Sequence, residues 1–125
     1  MQFAGMTIGA IDLGGDRAEI RVDHTIIITN MDGAERDTRW YGRGCLTISD
    51  LYQSPDELPT FPVTLASADI RDNQMTYRGE INIPFEFHGN VGVILHFADD
   101  QPPLKFFGEY LSFSLSEHEK YIEHI

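Results

Sequence analysis

The strongest constraint in this sequence is a two-residue alternation of apolar and polar side chains over residues 79–98. This period is typical of half-buried β-strands, because successive side chains of a strand point to opposite faces. The apolar row is interrupted at His88, Gly89 and Asn90, so the pattern predicts two antiparallel strands joined by a hairpin loop. The row consists of Ile81, Ile83, Phe85, Phe87, Val91, Val93, Leu95 and Phe97.

The register of this hairpin follows from placing both apolar rows on one face. A two-residue turn would pair Phe87 with Gly92, whereas a three-residue loop over residues 88–90 pairs Phe87 with Val91. The three-residue loop is therefore predicted, and Gly89 or Asn90 supplies the left-handed residue that such loops need.

Alternation and turn signals predict further strands, joined by two-residue turns at 14–15 and 72–73 and a five-residue loop at 31–35. The five-residue loop sets Thr38 opposite Ile28. One continuous strand is predicted over 75–87, leading into the hairpin. The remaining predicted strands cover residues 2–12, 18–29, 36–48, 63–70, 91–97 and 104–115.

Two capping boxes, at 54–57 and 116–119, predict one helical turn and a short C-terminal helix reaching residue 124. The whole chain, residues 1–125, is expected to be a single all-β domain. Its predicted architecture is an antiparallel sandwich or flattened barrel of about seven strands, mostly an up-and-down meander, with that short C-terminal helix.

Twenty acidic residues against nine basic residues give a net charge of −11. Such a chain repels phosphate backbones and anionic lipid, so we expect neither nucleic-acid nor membrane binding, while basic partners remain open. One cysteine, Cys45, cannot form an internal disulfide, and no apolar run approaches the roughly twenty residues of a membrane span. Because residues 1–13 lack a signal-peptide pattern, the expected location is cytoplasmic.

Residues 11–16 read Ile-Asp-Leu-Gly-Gly-Asp. They resemble the first phosphate loop of sugar kinases in the actin-like ATPase superfamily, where such a turn cradles nucleotide phosphates. The resemblance covers six residues, and that architecture requires a chain more than twice this long, with a second lobe and further phosphate loops. A hairpin turn accounts for the same residues, so no cofactor is expected.

The histidines and the cysteine form no metal or catalytic motif. His118 and His124 stand six apart on the predicted helix, which places them on opposite faces. His24 falls on an apolar strand row and His96 on an outer row, where a hydrogen-bonded or solvated role is the simpler interpretation. No catalytic, cofactor or metal residue is therefore assigned, although His24 and His96 stay as candidate acid-base groups.

Two candidate contact surfaces follow from the predicted topology. Up-and-down strands would bring the loops at 31–35, 70–74 and 98–103 to one end, where carboxylates could hold a cation or, preferably, contact a basic partner. The outer row of the hairpin is the second surface. The outward Ile27, Tyr41, Ile94 and Tyr110 could also form an apolar patch, unless the Pro-rich segment or the C-terminal helix covers that face, and covering is favoured. The candidate binding residues are Asp32, Asp72, Asp99 and Asp100 in the loops, and Glu80, Glu86, Ile94 and His96 in the outer row.

The leading hypothesis is a small, acidic, non-enzymatic binding protein of the inhibitor, immunity or adaptor type. Its partner is expected to be another protein, for which a basic surface would fit, and monomer and homodimer both remain open. The alternative is a carrier of a small apolar ligand in a barrel cavity. A hydrolase or isomerase using His24 or His96 comes third. The carrier's cavity would be lined by Phe85, Phe87, Phe97, Phe107 and Phe113.

Overall fold

Eight antiparallel strands make up the structure, a computed structural model that describes the backbone of residues 1–29, 38–118 and 123–124 and the side chains of residues 1–27 and 42–115. The all-β class predicted from the alternation is confirmed. The strands are β1 (Gln2–Gly14), β2 (Arg17–Thr29), β3 (Thr38–Ser49), β4 (Val63–Asp72), β5 (Met75–Tyr77), β6 (Phe85–Phe97), β7 (Leu104–His118) and β8 (Glu123–His124).

Six of the strands close into a barrel. Their order around the sheet is β1-β2-β3-β7-β6-β4, and pairing of Thr7 with Thr64 and of Ile8 with Val63 joins β1 to β4. Outside this ring, β5 pairs with β4 and β8 pairs with β3. Strands β1, β2 and β3 are consecutive neighbours, as are β6 and β7, but β7 and β6 lie between β3 and β4. The 50–62 segment therefore has to cross the barrel to connect them.

The predicted hairpin at residues 88–90 is wrong, because β6 is one continuous strand. On one side of the interruption Phe87 pairs with Leu111 of β7, and on the other side Leu95 pairs with Leu104 of the same strand. The register shifts by one residue between His88 and Val91, which identifies a β-bulge. The apolar row itself is correct, since all its members are buried or partly buried.

Asn73, at the turn between β4 and β5, holds this bulge in place. Its backbone N–H donates to the Asn90 carbonyl oxygen over 2.8 Å. Its side-chain Nδ2 donates to the His88 carbonyl oxygen over 2.9 Å, and its Oδ1 accepts from the Asn90 N–H over 3.0 Å. Gly89 adopts a φ of +109° between these contacts. The Gly-Asn pair that signals a turn in the sequence thus serves as a bulge.

Long-range pairing also overrides the local helix signals. Residues 116–118 belong to the end of β7, where Glu117 pairs with Arg43 of β3, and Glu123–His124 forms β8, so the predicted C-terminal helix is wrong. The helical turn predicted at 54–57 is not formed either. Both stretches carry a capping box, but a cap stabilises a helix only weakly compared with the strand partners available to β7.

Several strand pairings and turns differ by one residue from their predicted positions. The two-residue turns lie one residue later, at 15–16 and 73–74, and the strand predicted over 75–87 ends at Tyr77. Strand β3 pairs Thr38 with Thr29 instead of Ile28, because β2 carries a bulge between Val22 and Thr25. The predicted 31–35 loop, with Asp32, lies outside the described residues.

Apolar side chains fill the barrel interior. One void lined by these side chains has a volume of about 10 Å³, which is about the space one water molecule occupies. The largest fully buried side chains are Phe3, Phe106, Phe113, Ile8, Ile20, Ile48, Leu65, Ile70, Leu95, Leu111, Val22 and Val91.

The glycine at position 44 is predicted to be required by packing between β3 and β7. A Cβ atom there would lie 2.5 Å from Cζ of Phe113 and 2.6 Å from the Ser114 carbonyl oxygen. Gly44→Ala should lower the free energy of unfolding by about 1–3 kcal/mol in urea denaturation, as overpacking does. Gly14→Ala is the matched control, because nothing lies within 4 Å of its Cβ position. Equal stability of the two variants would contradict this packing.

The amino terminus is hydrogen-bonded to the segment between β5 and β6, and this gives a pH dependence. The Met1 amine donates to the Ile81 carbonyl oxygen over 2.8 Å. Burial lowers the pKa of this amine from 8.0, while the Glu80 carboxylate acts in the opposite direction. The unfolded chain therefore holds the proton at higher pH than the folded chain, so this group makes stability rise as pH increases toward 8.0.

The measurement compares urea unfolding of the chain with a free Met1 amine and of the same chain acetylated at Met1, between pH 6 and pH 9. Only the free amine titrates, so the difference between the two curves isolates its contribution. Parallel curves would show that the amine is no more buried in the folded chain than in the unfolded one.

Candidate functional site

The structure separates the acidic loops that the sequence analysis placed together. Asp72 pairs with Val91, whereas Asp99 and Asp100 follow the end of β6 at Phe97. The six residue steps from Val91 to Phe97 correspond to about 20 Å, so Asp72 lies far from the other two. Asp99 and Asp100 are both exposed. Their role in binding stays a prediction, now without Asp72 beside them.

The outer row of β6 is likewise divided by the bulge. Beyond the bulge, His96 Nε2 lies 3.1 Å from Asp69 Oδ2, and Ile94 is partly exposed between its strand partners Asp69 and Lys105. Arg78 Nε lies 4.0 Å from Asp69 Oδ1, which makes this a charged, open patch.

Before the bulge, Glu86 Oε1 contacts His88 Nε2 over 2.9 Å, and the His88 ring packs edge-on against Tyr110. Glu80 is exposed in the segment that follows β5 and forms a bridge with Gln2. Glu86 and His96 are ten strand residues apart, about 33 Å. The four predicted outer-row residues therefore do not form one surface.

The described residues contain no group of three or more histidine, cysteine, aspartate or glutamate side chains able to hold a metal ion. Cys45 Sγ lies 3.8 Å from Thr47 Oγ1 on the outside of β3. His24 lies at the bulge of β2, where Thr25 takes the buried position, so the predicted inward row is broken there.

The segment of residues 50–62, which we call the strap, crosses the outside of the barrel and covers part of it. Its Tyr52 N–H donates to the Phe107 carbonyl oxygen over 2.9 Å, and the Phe107 N–H donates to the Gln53 carbonyl oxygen over 2.9 Å. The Tyr52 ring stacks on the Phe107 ring, and the Tyr52 hydroxyl donates to Asn90 Oδ1. The strap therefore covers the surface around Phe107, whereas the favoured covering of the outward face with Ile94 and Tyr110 stays a prediction.

Phe107 is therefore not an inner residue, contrary to the sequence prediction. Its ring lies over Gly92, where a Cβ atom would meet Phe107 Cδ1 at 2.3 Å. The inward-facing side chains of β7 switch from even to odd positions along the strand, since Phe106 and Leu111 are both fully buried. The apolar ring of Phe107 therefore faces outward, and the strap covers it.

Two open grooves lie where the strap meets the loop at 98–103, and we call this region the proline end. One groove has a volume of about 330 Å³ and the other about 400 Å³, and both are lined by Phe97 and Gln101. Five of the six prolines contribute to the walls. The first groove is completed by Pro55, Glu57, Leu58, Pro59, Pro102, Pro103 and Leu104, and the second by Thr60, Pro62, Val63, Thr64, Ala98 and Asp99.

A third groove, of about 390 Å³, lies on the outside of β2 and β3 and is lined by Arg21, Val22, Asp23, Arg43 and Gly44. Arg21 Nε forms an ion pair with Asp23 Oδ1 over 2.8 Å. Arg21 and Asp23 therefore compensate each other, so this groove contains charges of both signs, unlike the proline end.

Comparison with models of protein families, with curated proteins and with solved structures finds no match to this chain. Within the described part of the chain there is no helix long and apolar enough to cross a membrane.

We predict that Tyr52 anchors the strap. Tyr52→Ala removes both the ring stack on Phe107 and the hydrogen bond to Asn90, and aromatic pairs contribute about 0.5–1.5 kcal/mol. Amide hydrogen exchange in residues 53–60 should become faster, while exchange in the barrel core stays unchanged. Tyr52→Phe keeps the ring stack and should change exchange much less. Equal exchange in the two variants would mean that the ring does not hold the strap.

Proposed function

We propose that this chain is a non-enzymatic protein-binding domain that uses its outer surface, and the proline end above all, as the contact surface. The observation that carries the proposal is the filled interior. Small-molecule sites have volumes of a few hundred cubic ångströms, whereas the void inside this barrel is about 10 Å³. The filled interior supports recognition on the outside, where Asp99 and Asp100 are exposed beside two grooves.

The carrier alternative is less well supported than protein binding for the same reason. Phe85 stacks on Phe87 and on Phe113 instead of lining a cavity, and Phe107 lies on the outer face. Phe97 is buried at the floor of the proline end.

The enzyme alternative is less well supported than binding. His96 does have a polar neighbour in Asp69, but the pair lies on an open sheet face, and none of the three grooves described above is lined by His96 or His24. General acid-base catalysis requires a positioned substrate next to the titrating group. A binding role needs no such cleft.

The charge of the chain favours a basic partner protein. With a net charge of −11, the field around the protein attracts cationic surfaces and accelerates their association. An inhibitor, immunity or adaptor role fits this charge and size, and a cytoplasmic location and a monomeric or dimeric state remain part of the proposal.

The test begins with capture on the immobilised chain, followed by calorimetric titration of each purified captured protein. We expect a saturable complex with a Kd in the micromolar range or below, as specific protein complexes have. Asp99→Lys together with Asp100→Lys should weaken it, because two attractive charges become repulsive. Failure of every captured protein to saturate, or a small molecule bound one per chain in native mass spectrometry, would overturn the proposal.

A further inference from the structure

We infer that the two grooves of the proline end form one docking site for an extended segment of a partner protein that carries arginine or lysine next to an apolar residue. The inference rests on the proposed function and specifies which surface is used and what chemistry the partner presents.

The two grooves are adjacent. Both are lined by Phe97 and Gln101, so an extended segment that lies across these two residues contacts both grooves. The Ala98 N–H donates to the Thr64 carbonyl oxygen over 3.0 Å, which ties the 98–103 loop to the start of β4. Extended segments rise about 3.3 Å per residue, so grooves of this volume suit a few residues of extended chain better than a compact ligand.

The walls of the grooves are poor in hydrogen-bond donors. Five proline residues carry no backbone N–H. Gln101 donates twice to the carboxylate of Asp99. Its backbone N–H donates to Oδ1 over 3.2 Å, and its side-chain Nε2 donates to Oδ2 over 2.7 Å. The walls therefore offer carbonyl and carboxylate oxygens, beside the hydroxyl groups of Thr60 and Thr64. A ligand with guanidinium or ammonium groups supplies donors that match these oxygens.

The charges at the proline end have one dominant sign. Glu57 lines the first groove and Asp99 the second, and the adjacent Asp56 and Asp100 are exposed. Lys105 is near in sequence, but it pairs with Ile94 and follows the buried Leu104, which places it on the outer face of β7. A cationic segment is thus attracted, and an anionic segment is repelled.

The floor of the grooves is apolar and the walls are stiff. Phe97 and Leu104 form the floor, and Leu58 is exposed at the rim. Prolines restrict the backbone before binding, so little conformational entropy is lost when a ligand is held. This combination favours a segment with an apolar side chain beside its basic one.

The probe for this site is a phage-displayed library of random twelve-residue peptides, selected on the full chain. The selected peptides should be enriched in arginine and lysine next to apolar residues. A selected peptide is then synthesised, and its Kd is measured by fluorescence anisotropy. Amide chemical shifts of Leu58, Phe97 and Gln101 should move on binding.

Two double charge reversals separate the site from the overall charge. Glu57→Lys with Asp99→Lys changes the grooves, whereas Asp12→Lys with Glu109→Lys changes two exposed positions that line neither groove. Each pair adds four charges to −11, so both variants carry −7. The groove variant should bind at least about tenfold more weakly, as the loss of charge-assisted hydrogen bonds implies, and the control variant should stay within about threefold. Thermal unfolding of both variants checks that the fold is kept.

Selection of peptides without basic residues, equal weakening in the two variants, or failure to select any peptide would each overturn the docking site. The proposed function is judged separately, by the calorimetric complex with a purified protein. If that complex forms and the groove variant leaves it intact, protein binding stands and uses another surface. If no such complex forms, the function falls as well.

Discussion

The barrel depends on β6 passing its bulge without reversing direction. Because β6 continues, its second half pairs with β4 on one edge and with β7 on the other. Strand β6 therefore connects β4 to β7 within the ring. The bulge costs ladder hydrogen bonds, and Asn73 replaces them with three contacts to His88 and Asn90. A hairpin at the same place would leave β4 without this partner, and the ring β1-β2-β3-β7-β6-β4 could not close.

The alternation predicted burial well and connectivity poorly, for a physical reason. Which side chains face the core follows from the strand period alone, so Phe85 and Val93 could be placed inside without knowing their partners. A three-residue hairpin loop and a one-residue bulge both keep odd positions on one face. The rule that chose the loop is satisfied by the bulge as well, and only pairing with the distant strand β7 distinguishes them.

A second bulge explains why one register was half correct. The predicted offset between β2 and β3 does pair Ala18 with Ile48, and it fails only beyond Val22, where β2 gains one residue. Thr25 then turns inward and its hydroxyl donates to the Gln2 carbonyl oxygen over 3.1 Å. A buried threonine with a backbone partner is compatible with the core. In the sequence, however, Thr25 shares its alternation with the polar residues Arg21 and Asp23, so the pattern could not reveal its burial.

The candidate site was predictable in its charges and not in its shape. Asp99 and Asp100 were identified as exposed loop carboxylates, but the grooves beside them exist only because the strap crosses the barrel from β3 to β4. The prolines of the strap explain why it crosses outside the barrel. They deprive its backbone of N–H groups, so it can neither join the sheet nor continue a helix, and Tyr52 and Gln53 hold it from outside. The same missing donors leave the walls rich in acceptors, and so the residues that shape the topology also determine the chemistry of the ligand that fits.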